Sequence, residues 1–182
     1  MPEESDLSRT AIERIGGDPD NLGFVGLKVE LPPEFRAVLD PTWAYTSPVL
    51  EYVRGYEGQP HITLIYGLLF SAAENRDLVD GVLEKVHIPN LVVMPGVEAF
   101  DTDDDYALYS AIVLTLDTNE WDLASLKVAS DELRKLPHVN AFPVYKPHIT
   151  VGYVRREFRD LAIGRLKDLE VRPLHTRGLE YT

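Results

Sequence analysis

An α+β fold built from two related halves, each an antiparallel sheet with helices and the two meeting at a central cleft, is what this sequence predicts. Three observations predict it. The stretches PHITLIY at 60–66 and PHITVGY at 147–153 put two of the chain's five histidines in one setting. Given thirteen Pro and ten Thr in 182 residues, chance would place two of five histidines behind a Pro and two positions before a Thr with a probability on the order of 10⁻⁴, so a repeat is the simpler cause. The alternating stretches FVGLKVEL (24–31) and YSAIVLTL (109–116) stand 109 − 24 = 85 positions apart and the histidines 148 − 61 = 87 apart, nearly a common offset. Finally, the order strand, helix, motif strand, helix occurs twice, which suits antiparallel pairing and an approximate twofold axis with equivalent strands side by side.

Taken in order, residues 1–22 are polar, with a short helix expected over 7–15 ahead of the breaker run Gly16-Gly17-Asp18-Pro19-Asp20. They read as an appendage to a single domain over 23–182, with lobe one at about 23–105, lobe two at about 106–182 and C-terminal strands free to cross back. In 24–31, Val25, Leu27, Val29 and Leu31 share one face and Phe24, Gly26, Lys28 and Glu30 the other, the mark of a half-buried strand. Pro32-Pro33 ends it, and a Pro-punctuated helical region is expected to about residue 55. The first motif strand follows at 61–69. Ser71 and Glu74 then form a capping box, opening a helix with Leu78, Val79, Val82, Leu83 and Val86 on one side and an end near His87. Short strands near 91–94 and 97–100 lead to an acidic turn at 101–105. The pattern then restarts with a strand at 107–116 and a helix at about 120–136 aligning Leu126, Ala129, Leu133 and Leu136. The second motif strand (147–154), a helix (155–166) and a final strand or two in 169–181 complete the chain.

Composition narrows the function. The 45% apolar content suffices for a substantial interior. No run approaches the roughly 18 apolar residues of a membrane span, and the start is acidic where a secretory signal would be basic and then apolar. A cytoplasmic location is therefore expected, the host's cytoplasm if the source is viral. The chain has no Cys, which removes disulfides, thiolate metal sites and cysteine nucleophiles together. Its net charge of −12 repels long phosphate backbones, whose affinity comes largely from Lys and Arg displacing counterions, so any nucleic-acid partner should be short.

Within a strand, side chains at i and i+2 point the same way, so His61 shares a face with Thr63 and His148 with Thr150, while Ile62, Leu64, Ile149 and Val151 serve the packed face. Two imidazoles, the side chain whose charge changes near neutral pH, and two hydroxyls would then converge on one cleft. One imidazole can take a proton from an attacking hydroxyl while the other delivers one to the leaving oxygen, and the hydroxyls can hold phosphoryl oxygens in the transition state. No metal or other cofactor is required. A lone His or Thr in a strand is more often structural; the duplication reverses that preference. His87, His138 and His175 lack the context and are expected to be structural or exposed.

The pair His61-Ile62-Thr63 and His148-Ile149-Thr150, each followed by an apolar residue and separated by about half the chain, resembles the 2H phosphoesterase superfamily of LigT-like proteins over roughly 23–180. The resemblance implies a bilobal α+β fold with the site between lobes, metal-independent cleavage or ligation of phosphodiesters in small nucleotides and RNA ends, and catalytic roles for those four residues. The short, acidic, aromatic-rich chain is also similar to a bacteriophage branch that destroys cyclic di- and trinucleotide alarm signals of the host. Rival readings are an RNA-end enzyme opening 2′,3′-cyclic phosphates or joining 2′-5′ linkages, and a non-catalytic nucleotide sponge.

For substrate binding, Lys28 is the one cation among Phe24, Gly26, Tyr109, Ala111 and Val113 on the faces expected to floor the cleft, where its ammonium could counter a phosphate. Gly26 and Ala111 leave room for a ligand, and Phe24 and Tyr109 would flank it, since bases stack on aromatic faces. Trp43, Tyr45, Tyr52 and Tyr56 approach the first motif, and Phe142 and Tyr145 the second. Of these, Tyr145 and Trp43 join Tyr109 as the candidates for a base-binding rim. Lys146, Arg155 and Arg156 offer local positive charge beside the second motif. Tyr66 and Tyr153, five residues past their histidines, fall on the packed face by parity. The partner implied is a small nucleotide or cyclic oligonucleotide.

Overall fold

The computed structural model describes residues 21–101, 108–116, 121–139 and 144–182. The expected helix at 7–15, most of the acidic turn at 101–105 and the aromatic Phe142 lie outside them. The described strands are β1 (Gly23–Val29), β2 (His61–Leu68), β3 (Leu91–Val92), β4 (Gly96–Asp101), β5 (Tyr109–Thr115), β6 (His148–Arg155) and β7 (Leu174–Tyr181). They form one antiparallel sheet in the order β3-β7-β1-β2-β6-β5-β4. The motif strands β2 and β6 lie at its centre, and β7 returns to flank β1.

Four α-helices are described: α1 (Pro33–Ala37), α2 (Arg76–Leu83), α3 (Trp121–Leu133) and α4 (Arg159–Lys167). α3 packs on β2, α2 on α3, and α4 on β4 and β5. The core beneath the sheet joins Val25, Leu27, Ile62, Ile112, Leu114 and Ile149 with Leu126, Ala129 and Leu133 of α3 and Ala162 and Leu166 of α4. Each of these Val, Leu and Ile side chains contributes about 1.5–3 kcal/mol through removal from water.

Several sequence expectations need correction. The helical region expected to residue 55 is only α1 and a 3₁₀ turn at Pro41–Trp43; residues 44–57 instead form a loop whose ends bridge to β6, Ala44 to Val154 and Tyr56 to Gly152, and whose arms bridge each other at Thr46 and Arg54, because Pro41 and Pro48 interrupt any longer helix and β6 offers unpaired backbone groups. α2 starts at Arg76. Ser71 Oγ accepts from the Glu74 N–H at 3.3 Å, so half of the capping box forms one turn early. Leu78 points outward, 49% exposed, leaving Val79 and Leu83 as the fully packed pair of that helix. The strand expected at 91–94 is two residues long.

The repeat offset is also corrected. β1 pairs with β2 through Lys28↔His61 and Phe24↔Tyr66, and β5 with β6 through Thr115↔His148 and Ala111↔Tyr153. Lys28 therefore corresponds to Thr115 and Phe24 to Ala111, an offset of 115 − 28 = 111 − 24 = 87, the same as between the histidines. The pairing slips between Val25 and Gly26 and again between Ile112 and Val113, 87 residues on. In each case the motif strand carries the extra residue, Leu64 or Val151, as a β-bulge. A bulge bends its strand, and β2 and β6 accordingly meet at one described pair, Ile62↔Ile149, and then part. Segments from elsewhere satisfy the edges they expose. Tyr153 N–H donates to the Gly55 carbonyl (2.6 Å) and Glu57 N–H to the Val151 carbonyl (3.0 Å), while Val139 N–H donates to the Gly67 carbonyl (2.8 Å).

Candidate active site

Ile62 and Ile149 are both fully buried, so their neighbours on either side face the opposite, helix-free side of the sheet. Continuing the antiparallel register by one residue each way from Ile62↔Ile149 sets His61 beside Thr150 and Thr63 beside His148. The two histidines are diagonal neighbours, a relation that puts Cβ atoms about 7–8 Å apart on a sheet face. All four side chains are partly exposed.

Both rings are held alike. His61 Nδ1 lies 2.9 Å from the Gln59 carbonyl oxygen and His148 Nδ1 2.9 Å from that of Lys146. A carbonyl oxygen only accepts, so Nδ1 carries the proton in each neutral ring and Nε2 is left as the acceptor nitrogen. His138 makes the same bond to Leu136, so the bond orients a ring without by itself marking a site. An aromatic edge completes each setting: Phe24 meets the His61 ring at 5.2 Å between centroids and Phe100 meets His148 at 4.7 Å, both T-shaped. Phe100 was not singled out from sequence. It stands on β4, outside either motif, and the position equivalent to Phe24 is only Ala111.

The electrostatics are not symmetric. Burial holds the His148 pKa below the ordinary histidine value, and the nearby charges of His61 and Lys146 add to the depression; the bond to the Lys146 carbonyl and the charge of Glu98 oppose it. Lys146 Nζ is paired with Glu98 at 2.7 Å and lies over the Phe100 ring at 5.2 Å, so its charge is already partly balanced. A depression of about 340 Å³ at the β4 edge is lined by Glu98, Phe100, Lys146 and Arg159 among others. It opens beside His148 and not over the motif quartet, so we locate the site by the converging side chains.

Lys28 stands directly opposite His61, exposed, with no ion pair among the described residues. Other substrate-binding expectations change. The Phe24 ring covers Gly26, where an added Cβ would lie 2.5 Å from it, so the space read as room for a ligand is occupied. Trp43 is 8% exposed and stacked on Phe158; it is core. Tyr145 packs its ring against the core and donates its hydroxyl to the Thr63 carbonyl at 3.0 Å, a brace and not a rim, with burial pushing its phenol well above the usual range. Tyr109 shares the histidine face but sits six residues along β5 from Thr115, about 20 Å at strand rise. Arg155 donates to the Thr42 carbonyl and pairs with Glu157.

Tyr66 and Tyr153 correct the parity argument. Residues directly opposite in a sheet share a face, and Tyr66 faces Phe24 while Tyr153 faces Ala111, which in turn faces Phe100. Because Phe24 and Phe100 both touch the histidines, both tyrosines lie on the histidine side; the bulges shift the alternation by one. Tyr66 is 45% exposed there.

Among the described residues no helix is long and apolar enough to cross a membrane, and no three His, Cys, Asp or Glu side chains gather as a metal site would need. No protein-family profile matches the chain, and no curated protein does. Among solved structures, Usb1 from Kluyveromyces marxianus superposes with a TM-score of 0.52 at 14% identity, over 89% of this chain and 93% of that one. A structure of the same protein with uridine monophosphate gives 0.47 at 15% identity, over 81% and 85%. The chain is thus similar in fold to Usb1 along nearly the whole length of both.

Proposed function

We propose that this protein is a metal-independent phosphodiesterase of the 2H type, acting on a small nucleotide or short oligonucleotide, linear or cyclic. The observation that carries the proposal is the register through Ile62↔Ile149, which sets each motif's histidine beside the other motif's threonine on one open face. The fold shared with Usb1 supports it.

His148 is the base. Burial lowers its pKa, which favours the unprotonated ring, and Nε2 can then take the proton of the attacking hydroxyl as its oxygen bonds to phosphorus. His61, in its protonated form, gives the Nε2 proton to the leaving oxygen as the second P–O bond breaks. The proton count balances, and each ring returns to its starting state by exchange with water. Thr63 and Thr150 donate to the non-bridging oxygens, where negative charge gathers, and Lys28 counters the charge of the same phosphate.

His61→Ala and His148→Ala should each lower turnover by about 10²-fold or more with the fold intact by circular dichroism; near-normal rates in both would refute the assignment. A mass-spectrometric panel of cyclic dinucleotides, cyclic trinucleotides, 2′,3′-cyclic mononucleotides and RNA ends identifies the linkage. Binding without product across the panel would make the protein a nucleotide sponge.

A further inference from the structure

On the histidine face, beyond the site, four tyrosine rings gather where β5 and β6 run away from the Ile62↔Ile149 crossing. Tyr45 stacks on Tyr109 with centroids 5.3 Å apart, Tyr153 meets Tyr109 edge-on at 5.9 Å, and Tyr52 meets Tyr153 at 6.4 Å. Tyr153 and Tyr109 lie on the row that continues from Thr115 through Ala111, four and six residues from the level of His148, which is about 13 and 20 Å at strand rise. The proposed chemistry uses none of these rings. Core packing does not account for them fully either, because Tyr52 is 66% exposed and an exposed aromatic at the end of a cluster loses more by contact with water than a polar residue would.

Charge points to the occupant. On a chain of net charge −12, this end of the sheet carries guanidinium groups. Arg155 stands directly opposite Tyr109, its guanidinium shared with the Thr42 carbonyl and Glu157, and Arg54, on the segment that carries Tyr52, is exposed with no ion pair among the described residues, while Glu57 is an acidic group near Tyr153. Aromatic faces beside arginines are the combination that holds single-stranded nucleic acid, bases on rings and phosphates on cations. A peptide or lipid partner would explain the rings but not their alignment with the phosphate site.

We propose that the tyrosine cluster is a second subsite that stacks a base of a linear single-stranded oligonucleotide whose end is processed at His61 and His148. A stacked strand advances about 3.4 Å per nucleotide, so 13–20 Å corresponds to about four to six nucleotides, fewer for an extended strand. A mononucleotide or a compact cyclic dinucleotide cannot span that distance. The inference rests on the proposed phosphodiesterase reading, narrowing its substrate to a short linear strand.

Binding tests it without requiring turnover. Fluorescence anisotropy with a labelled single-stranded hexanucleotide and a labelled dinucleotide should show the hexanucleotide bound at least about tenfold tighter, with Tyr52→Ala removing about tenfold of that affinity, as for the loss of one stacked base. Tyr52→Phe should restore it, and the dinucleotide should bind all three proteins alike. Equal affinity for the two lengths, or a Tyr52→Ala loss common to both, overturns the subsite. A failure of the phosphodiesterase reading would appear separately, as intact binding without cleavage of any diester.

Discussion

The Tyr145 hydroxyl donates to the main-chain carbonyl of Thr63 at 3.0 Å across 82 residues of sequence, while the adjacent Lys146 carbonyl accepts a hydrogen bond from Nδ1 of His148. One dipeptide thereby fixes the height of the first motif and the ring of the second. Tyr145→Phe leaves a carbonyl oxygen short of its donor, which costs about 1–3 kcal/mol. The expected outcome is a lower melting temperature with kcat reduced more than KM, because the reacting groups move while the substrate contacts persist. An unchanged kcat would limit Tyr145 to packing.

The pH profile should carry the mark of His148. A base must be unprotonated, and its pKa is depressed by burial first, so the rising limb of kcat/KM should fall below the pH of an ordinary histidine. Glu98 opposes the depression; Glu98→Gln makes the imidazolium less favourable and should move the limb further to acid, while Lys146→Gln should move it toward neutrality. The same depression acts on stability. Above the unfolded value of about 6.5 the folded and unfolded forms are both neutral at this ring. As pH falls below it the unfolded chain takes the proton first, and the fold loses stability until the folded ring also titrates. His148→Gln should flatten that acid-side loss in thermal melts.

Ile62 and Ile149 are each fully buried at the one described pairing of the motif strands. Ile149→Ala should cost about 2–5 kcal/mol in urea denaturation, and the turnover of the folded fraction should drop as well, since the quartet takes its spacing from this pair. Ala129→Gly on α3 provides a control that loses stability without touching the register.

Two glycines should respond differently. An added Cβ at Gly152 would lie 2.9 Å from the Gly55 carbonyl oxygen, a main-chain atom that cannot give way without moving the segment that satisfies β6. Gly152→Ala should therefore lower stability markedly. At Gly26 the nearest atoms belong to the tip of the Phe24 ring, which can swing aside. Gly26→Ala should melt near the wild type while lowering turnover, because the Phe24 edge that steadies the His61 ring is displaced.

Phosphodiester cleavage should survive EDTA, because the proposed proton transfers and oxyanion contacts use only His61, His148, Thr63, Thr150 and Lys28. Loss of rate restored by Mg²⁺ or Mn²⁺ would point to another chemistry.

The sequence carried the motif residues and the half-buried strands, because alternation and repetition are local properties. Lys28 was legible for the same reason: its parity in β1 holds without interruption as far as His61's partner position. The side of the sheet taken by Tyr66 and Tyr153 was not, since a single inserted residue at Leu64 or Val151 inverts it and neither residue type announces a bulge. Trp43 and Tyr145 look like binding aromatics when their flanks are read alone. Their burial depends on Phe158 and Thr63, each more than 80 positions away in sequence, and no window along the chain contains both partners. Phe100 was missed for the complementary reason, that its contact with His148 arises from β4 lying two strands away.

The lone crossing of β2 over β6 has a mechanical consequence. If the two flanks of the sheet twist against each other, every atom travels in proportion to its distance from that pivot. Groups at the hub, His61 and His148 among them, would then shift least and the outlying tyrosines most, so a twist of the sheet would change the spacing of its flanks before it changed the spacing of the motif quartet.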